Sequence, residues 1–477
     1  MNVITGIKKE VINGAFVNQV IFIEKRLLFL VFIFVLSFLP APAYSIAGAS
    51  KAVADGSFIQ AELCGSWTDA RWQDEFSAMK EAGMHYLIIG AVAESSPDPG
   101  KSTKTLYPSN LPNTEMAKGL NGRDMVDICL RNAESAGIKV FIGIGMNEKW
   151  WEAPGIDSTW LYNQMEFDNK VCDEVWALYK KKYPSAFYGW YWVYEVANVN
   201  LSPIQQNVLI HAMNIQLDHL ISTNEKLPFM WCPFMNSEFG TPEAYKLMWK
   251  NVFAGIHTTA GDIFAPQDCV GAGGLKLSEV ADWFAALREA VETKPGMKFW
   301  SDVETFDHHD WTSATIDRFV AQMKIEQPYV EDYITFAYCH YDSPYNTDPG
   351  YHATYIDYIK NGSLETSSPT EPSQFNAVLQ TNGNVALSWN ASTDNIGVCG
   401  YYIYRNEIMI CKKQVPRSDG VRRNSIPLTE FIDTGLTSNT IYKYQVQAYD
   451  FANNVSSLTT PITITTSKVR TIIHKIR

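Results

Sequence analysis

The feature that most constrains this chain is an eightfold alternation. Between residues 57 and 359, apolar runs at 58–63, 86–93, 140–146, 187–196, 228–235, 263–270, 299–306 and 333–341 alternate with amphipathic stretches. The runs are rich in Ile, Val, Phe, Tyr and Trp and read as buried strands. The stretches between them carry apolar residues at helical spacing, as in Trp72, Phe76 and Met79, or Ile316, Phe319, Val320 and Met323. Gly83 and Gly137 each follow an Ala at a helix exit, where a left-handed cap lets the chain turn into the next strand. Eight such units predict a (β/α)8 TIM barrel over residues 50–360. The rival for alternating units is a doubly wound open sheet. It needs a glycine-rich phosphate turn after an early strand, and the stretch from Ala61 to Trp67 contains no Gly-x-Gly-x-x-Gly.

A parallel barrel collects chemistry where its strands end. Here those positions hold Gln60, Glu62 and Trp67, then Glu94, then Asn147, Trp150 and Trp151, then Tyr194 and Glu195, then Phe234, Gln267, Asp302, Glu304 and His340, with Asp268 and Asp342 beside them. Acids mixed with rings suit a sugar, whose CH faces stack on aromatics while its hydroxyls bond to carboxylates and amides. A phosphate would want cations, and only Lys149 qualifies. Glycoside hydrolysis needs one carboxylic acid to protonate the leaving oxygen and one carboxylate as nucleophile or base. Glu195 and Glu304 each end an aromatic-rich run and are the catalytic candidates; either one alone could equally be a buried glutamate satisfied by nearby amides. The other strand-end residues, Glu94 among them, are candidate substrate contacts. Trp150 and Trp151 are expected to form a sugar platform, since two consecutive rings cannot both point inward. No metal or other cofactor is expected: His308 and His309 are adjacent on one loop, and no His-x-x-x-His spacing accompanies them.

Composition supports the sugar. Of 14 tryptophans only Trp389 lies beyond residue 311, and the net charge of -12 argues against nucleic acid or an anionic membrane as partner. The eight cysteines show no Cys-x-x-Cys spacing. Cys64, Cys232, Cys269 and Cys339 lie by predicted strands and read as small buried hydrophobes. Cys399 and Cys411 share one small domain, where a disulfide is the less favoured alternative. Lys25 and Arg26 precede an apolar run at 27–39, followed by Ala41 and Ala43 at small-x-small spacing. That run is too short to span a bilayer, so residues 1–43 read as a signal peptide, with a secreted, periplasmic or cell-surface mature chain that has no membrane insertion.

Residues 361–373 form a polar linker with prolines and serines, expected to act as an extended tether. Residues 374–467 then show alternating strands without helices, a β-sandwich pattern, and 468–477 are a tail. Trp389, the stretch from Gly400 to Arg405, and Thr440 to Asp450 with Asn453 to Ser456 resemble the fibronectin type III module. The resemblance implies that Tyr442 is its tyrosine-corner residue and that the module is a spacer or stabiliser. The linker offers little apolar surface to join the domains, so the module is expected to fold alone and to be dispensable for chemistry.

The barrel has its own resemblance. Trp67, Thr68 and Asp69 with Trp72, the stretch from Met79 to Met84, Tyr107 to Asn110, Gly189 to Trp192 with Glu195, and Asp302 to Phe306 resemble domain-of-unknown-function family 4434, a TIM-barrel group similar to glycoside hydrolases. In the retaining enzymes of glycoside hydrolase clan A the acid/base ends strand four and the nucleophile ends strand seven. The resemblance therefore implies Glu195 as acid/base and Glu304 as nucleophile. That clan carries Asn directly before its acid/base, where this chain has Tyr194. The function expected is a secreted glycoside hydrolase acting with retention on a β-linked or plant-type oligo- or polysaccharide. The alternatives are a non-catalytic carbohydrate-binding barrel and an adhesion or scaffold protein, the last leaving the strand-end acids without a role.

Overall fold

The computed structural model describes residues 51–466, apart from 99, 153–157, 224, 310 and 415–427. The leader at 1–43, residue 467 and the tail at 468–477 lie outside the described residues. Eight parallel strands close on themselves: β1 (Gly56–Ile59), β2 (Tyr86–Ser95), β3 (Lys139–Asn147), β4 (Phe187–Trp192), β5 (Phe229–Trp231), β6 (Ile263–Phe264), β7 (Lys298–Glu304) and β8 (Asp332–Phe336). The ring is sealed where β8 pairs with β1, Ile334 opposite Gly56, and β1 pairs with β2, Leu87 opposite Ser57. Each strand is followed by a helix: α1 (Asp69–Glu81), α2 (Met125–Ala136), α3 (Ser158–Val175), α4 (Pro203–Thr223), α5 (Pro242–Gly255), α6 (Leu277–Val291), α7 (Ile316–Glu326) and α8 (Pro349–Asn361). This is the (β/α)8 barrel. An open sheet is ruled out by the closure.

Local chemistry sets the boundaries. Ser202 Oγ accepts the Gln205 N–H at 3.3 Å and Gln205 Oε1 accepts the Ser202 N–H at 2.9 Å, a capping box ahead of Pro203. Gly137 ends α2 at φ 74°. Strands β5 and β6 stop well before the ends of the apolar runs at 228–235 and 263–270. Pro233 and Pro266 have no N–H to give the ladder, and the chain leaves the sheet there. The ends of the runs at 58–63 and 333–341 are helical turns instead, Ala61–Cys64 and Tyr338–Tyr341.

Alternation along the strands sorts the side chains. Near the amino ends, Tyr86 packs against Trp300 at 5.2 Å and Tyr188 at 5.5 Å between ring centroids. Further along, Tyr191 meets Phe58 at 5.1 Å, and the acids of β7 and the β4 exit lie beyond. Residues of opposite parity face the helices: Tyr194 hydroxyl donates to Asp168 Oδ2 of α3 at 3.1 Å.

After residue 372 the chain forms a sandwich. Strands β9 (Ser373–Leu379), β10 (Val385–Asn390) and β13 (Glu430–Asp433) make one sheet, and β12 (Ile408–Gln414), β11 (Val398–Arg405), β14 (Ile441–Asp450) and β15 (Ile462–Thr465) the other. Trp389, Tyr401, Ile403, Tyr444 and Val446 fill the space between them. Tyr442 hydroxyl accepts the Thr437 N–H at 3.0 Å, turning back on the preceding backbone as a tyrosine corner does. Among the described residues no disulfide is formed. Cys399 lies 3.2 Å from the Tyr351 hydroxyl of α8.

That contact belongs to a domain interface that the polar linker concealed. Phe451 meets Tyr351 edge to face at 4.8 Å and presses on Gly350, where a Cβ would come within 2.0 Å of the ring. The Ile316 N–H donates to Phe451 O at 2.8 Å, and Asn454 Nδ2 donates to Glu365 Oε1 at 2.8 Å. Cys399, Tyr449 and Phe451 are continuous with the apolar core of the barrel. The expectation that little apolar surface joins the two domains is therefore corrected. Linker polarity describes the linker, whereas the contact is made by Cys399, Tyr449 and the loop at 451–454, none of which the linker's composition reports.

Candidate active site

Glu304 is the last residue of β7 and is buried, 2% exposed. Its Oε2 accepts the Ala272 N–H at 2.6 Å. Its own N–H donates to Asp268 Oδ1 at 3.3 Å, and its carbonyl accepts from Gln322 Nε2 at 3.0 Å and from Arg318 Nη2 at 3.3 Å. Asp302, two residues earlier, shares its parity and is also buried. Glu195 follows β4, is half-buried, and shares parity with Tyr191. Trp150 Nε1 donates to its backbone carbonyl at 3.0 Å, and the Gln267 amide faces its carboxyl group.

The electrostatics make one cluster of these side chains. Burial pushes the Glu195 carboxyl up to about 7, partly opposed by the Gln267 amide. Burial, then the charge of Asp268, pushes Glu304 up to about 8, against the opposing pull of the Ala272 N–H and Arg318; Glu195 adds a further upward push. Asp302 is raised by burial and then by Glu304, Asp268 and Glu195. Acids that sense one another this way titrate as a group, so near neutral pH the site holds protons that isolated carboxylates would have lost.

Of the expected site residues, Glu195, Gln267, Asp302 and Glu304 come together. Phe234 is half-buried one bridge away, paired with Ala197. Gln60, Glu62 and Glu94 are exposed on the rim at the ends of β1 and β2. Glu94 lines a cleft of about 480 Å³ with Lys101, Lys104, Glu115 and Glu148. Partial burial, then the charges of Glu148 and Glu62, push its carboxyl upward although much of the residue meets solvent.

Five expectations need correction. Trp150 is buried at 1% exposure and packs edge-on against Tyr194 at 5.3 Å, so it is core, and only Trp151 remains half-exposed. Tyr194 has the parity opposite to Glu195 and faces α3. Asn147 spends its side chain on structure, Oδ1 accepting the Lys149 N–H at 2.9 Å and Nδ2 donating to Gln164 at 2.8 Å. Trp67 is buried, with the Arg71 guanidinium 3.9 Å from its ring centroid. His340 is buried, its Nε2 accepting the Gln60 N–H at 3.1 Å, which ties the end of β8 to the end of β1.

Sequence reading missed the support behind Glu304. Arg318, Gln322 and Glu326 lie at i, i+4 and i+8 on α7, a polar stripe beside the apolar one whose spacing does not separate it from a solvent-facing stripe. Trp311 was also missed; it is half-buried on the hairpin after Glu304 and stacks on Phe306 at 5.5 Å. His308 and His309 do not diverge: their rings lie 4.0 Å apart, and one donor atom from each and one from Asp307 fall within 4.8 Å of one another. Asp307 Oδ1 already accepts the His309 N–H at 3.1 Å, and His308 Nδ1 faces the Gly271 carbonyl at 3.0 Å.

Fold and site together define a TIM barrel with clustered acids at the carboxyl ends of its strands. The chain belongs to the family described as Domain of unknown function (DUF4434), which matches residues 54–348. It is similar to Chitinase Chi52 of Paenibacillus xylanexedens, 38% identical over 103 residues, covering 22% of this chain and 17% of the relative. It is also similar to Exoglucanase B of Cellulomonas fimi, 29% identical over 223 residues, covering 44% of this chain and 17% of the relative. The chain spans at most 17% of the length of the first curated relatives it matches. A solved structure of a candidate alpha-L-fucosidase from Bacteroides thetaiotaomicron superposes with a TM-score of 0.54 at 22% identity, covering 69% of this chain and 98% of that one. At that identity the likeness concerns the fold.

Proposed function

We propose that this protein is a glycoside hydrolase acting on an oligo- or polysaccharide outside the cytoplasm, with retention, Glu304 serving as nucleophile and Glu195 as acid/base. The observation that carries the reading is the pair itself: two glutamates at the ends of β4 and β7, both shifted upward by burial, with Glu304 sensing the charge of Glu195. The roles are assigned by strand, acid/base at the end of β4 and nucleophile at the end of β7 as the resemblance to glycoside hydrolase clan A implies; the upward shifts, larger for Glu304 than for Glu195, mark both as carboxyls that hold protons near neutrality and do not divide the roles. The relatives named chitinase and exoglucanase, similar over 22% and 44% of this chain, support the same class. Among the described residues no helix is long and apolar enough to cross a membrane.

In the cycle, the Glu304 carboxylate attacks the anomeric carbon while Glu195 passes its proton to the departing oxygen. Glu195 then takes a proton from water, whose oxygen displaces Glu304 and restores both groups. Asp302 and Gln267 border the acids and are the nearest groups for sugar hydroxyls; Trp151 and Trp311 offer half-exposed rings. A panel of aryl glycosides and polysaccharides, followed by proton NMR of the first-formed anomer, tests the reading. Turnover with retained configuration is expected. Binding without turnover would return the lead to a carbohydrate-binding barrel, and an inverted product would remove the nucleophile assignment.

A further inference from the structure

Helix α7 is held at its first turn by the other domain. Its first N–H, that of Ile316, has no acceptor within the helix and donates to Phe451 O at 2.8 Å. Asn453 Nδ2 donates to Asp317 Oδ2 at 3.1 Å, while Asn453 Oδ1 accepts from the Tyr402 hydroxyl at 2.7 Å. The residue that grips the helix is thus itself fixed by β11. Phe451 is in turn wedged against Gly350 and Tyr351 of α8, as described above.

The same helix reaches the other way into the candidate site. Arg318 Nη2 donates to the carbonyls of both Glu304 and Phe306, and Gln322 Nε2 donates to the Glu304 carbonyl and to Asp268 Oδ2. Asp268 Oδ1 accepts the Glu304 N–H. The main chain on both sides of the Glu304 Cα is therefore clamped by groups on or bonded to α7. An α-helix moves as a rigid body, so a displacement at Ile316 and Asp317 is passed to Arg318 one residue on and to Gln322 a turn later.

We propose that the C-terminal module is a working part of the barrel's active site: by fixing the first turn of α7 it sets Arg318 and Gln322 against the main chain at Glu304, which makes them positioning residues for that carboxylate. The inference rests on the hydrolase reading only in giving Glu304 its role. Arg318 is also a cation that acts on Glu304, which is faced by Asp268, Asp302, Glu195 and Cys269, with His308 bonded to the neighbouring loop at Gly271. Arg318 itself is faced by Asp268, Asp307, Glu304 and Asp342. A guanidinium among this many acids favours the ionised nucleophile, and moving it away favours the protonated one.

The test uses the full chain with carbon-13-labelled glutamate carboxyls, the Glu304 signal being assigned by its loss in Glu304→Gln. Arg318→Met is expected to move the Glu304 titration upward by about one pH unit, and to lower kcat about tenfold with KM nearly unchanged, with Arg318→Lys recovering part of both. Asn453→Ala and Phe451→Ala, which lie in the module and touch neither Glu304 nor Glu195, are expected to shift the titration and kcat in the same direction by a smaller amount. Tyr442→Phe, elsewhere in the module, should shift neither. If Phe451→Ala does not fold, Asn453→Ala decides. A folded Asn453→Ala protein whose Glu304 titration and kcat match the parent would overturn the proposal. Should the parent hydrolyse no glycoside, the hydrolase reading falls, and the titration still decides the positioning.

Discussion

Glu195 and Glu304 end equivalent strands, yet they are built differently. Behind Glu195 the packing is aromatic, with Trp192, Trp150 and Tyr194 edge-on or tilted against one another between β4 and the helices; the residue is half-buried, and its carboxyl group is faced by the Gln267 amide. Behind Glu304 the packing is polar: Asp268, Gln322 and Arg318 hold its main chain and Ala272 holds its side chain. The contrast fits a division of labour. A group that trades a proton with leaving oxygen and then water needs room, while a group that attacks one carbon needs a fixed position.

The largest expected effect comes from breaking the fixed side. Glu304→Ala should lower kcat about 10⁴-fold or more on every substrate, because no glycosyl-enzyme can form. Glu195→Ala should cost about 10²- to 10⁴-fold on substrates with poor leaving groups and much less on an activated aryl glycoside. On the aryl glycoside it should stall at the covalent intermediate, and azide should release it as the glycosyl azide. Steady-state rates with and without azide on both substrate types check this. Equal losses in the two variants on all substrates, with no azide effect, would erase the division.

Stability against pH sharpens the comparison next. Both carboxyls titrate higher in the folded protein than in the unfolded chain, from an ordinary 4.5 to about 8 for Glu304 and about 7 for Glu195. The folded state therefore holds protons that the unfolded state has released, and stability is lost as pH rises from about 4.5 through those values. Glu304→Gln removes the loss at its position, so it should be more stable than the parent at pH 8 by on the order of 2 kcal/mol and nearly equal at pH 4. Glu195→Gln should gain less, since its shift is smaller. Urea unfolding at the two pH values checks the order, and a larger gain for Glu195→Gln would reverse the comparison.

The fold was legible, and so was the placement of Glu195 and Glu304 at strand ends, because these rest on periodicity. Eight apolar runs imply eight strands, and the absence of a glycine-rich phosphate turn favours the closed barrel over an open sheet. What failed was finer than the element. Tyr194 was grouped with Glu195 although a one-residue offset on a strand sends it to the opposite face. Trp150 and Trp151 were read as a pair although only one of two adjacent rings had to turn outward. His340 and Trp67 lie in the right places along the chain, but helical turns after β1 and β8 bury them. The polar face of α7 went unread because buried polar residues resemble solvent-facing ones in sequence: Arg318, Gln322 and Glu326 are spaced like any charged surface stripe. The module contact was invisible for a related reason, since it depends on which loop of one domain meets which helix of another.

The smallest expected effect tests the aromatic side directly. Tyr194 hydroxyl and Gln164 Nε2 are the two side-chain donors to Asp168, whose carboxyl burial pushes up to about 7. Tyr194→Phe keeps the ring that packs against Trp150 and Trp192 and removes only the hydroxyl, so the cost should be that of one buried hydrogen bond, about 1 kcal/mol. Asp168 should then titrate higher still, because one donor to its ionised form is gone. Turnover should change less than twofold, since nothing between Tyr194 and the substrate side of β4 is altered. Thermal unfolding together with the rate on the best aryl glycoside separates these outcomes. A loss of turnover of tenfold or more, with stability unchanged, would mean that the hydroxyl acts on Glu195 or on substrate, and the aromatic side would then be as closely coupled to chemistry as the polar one.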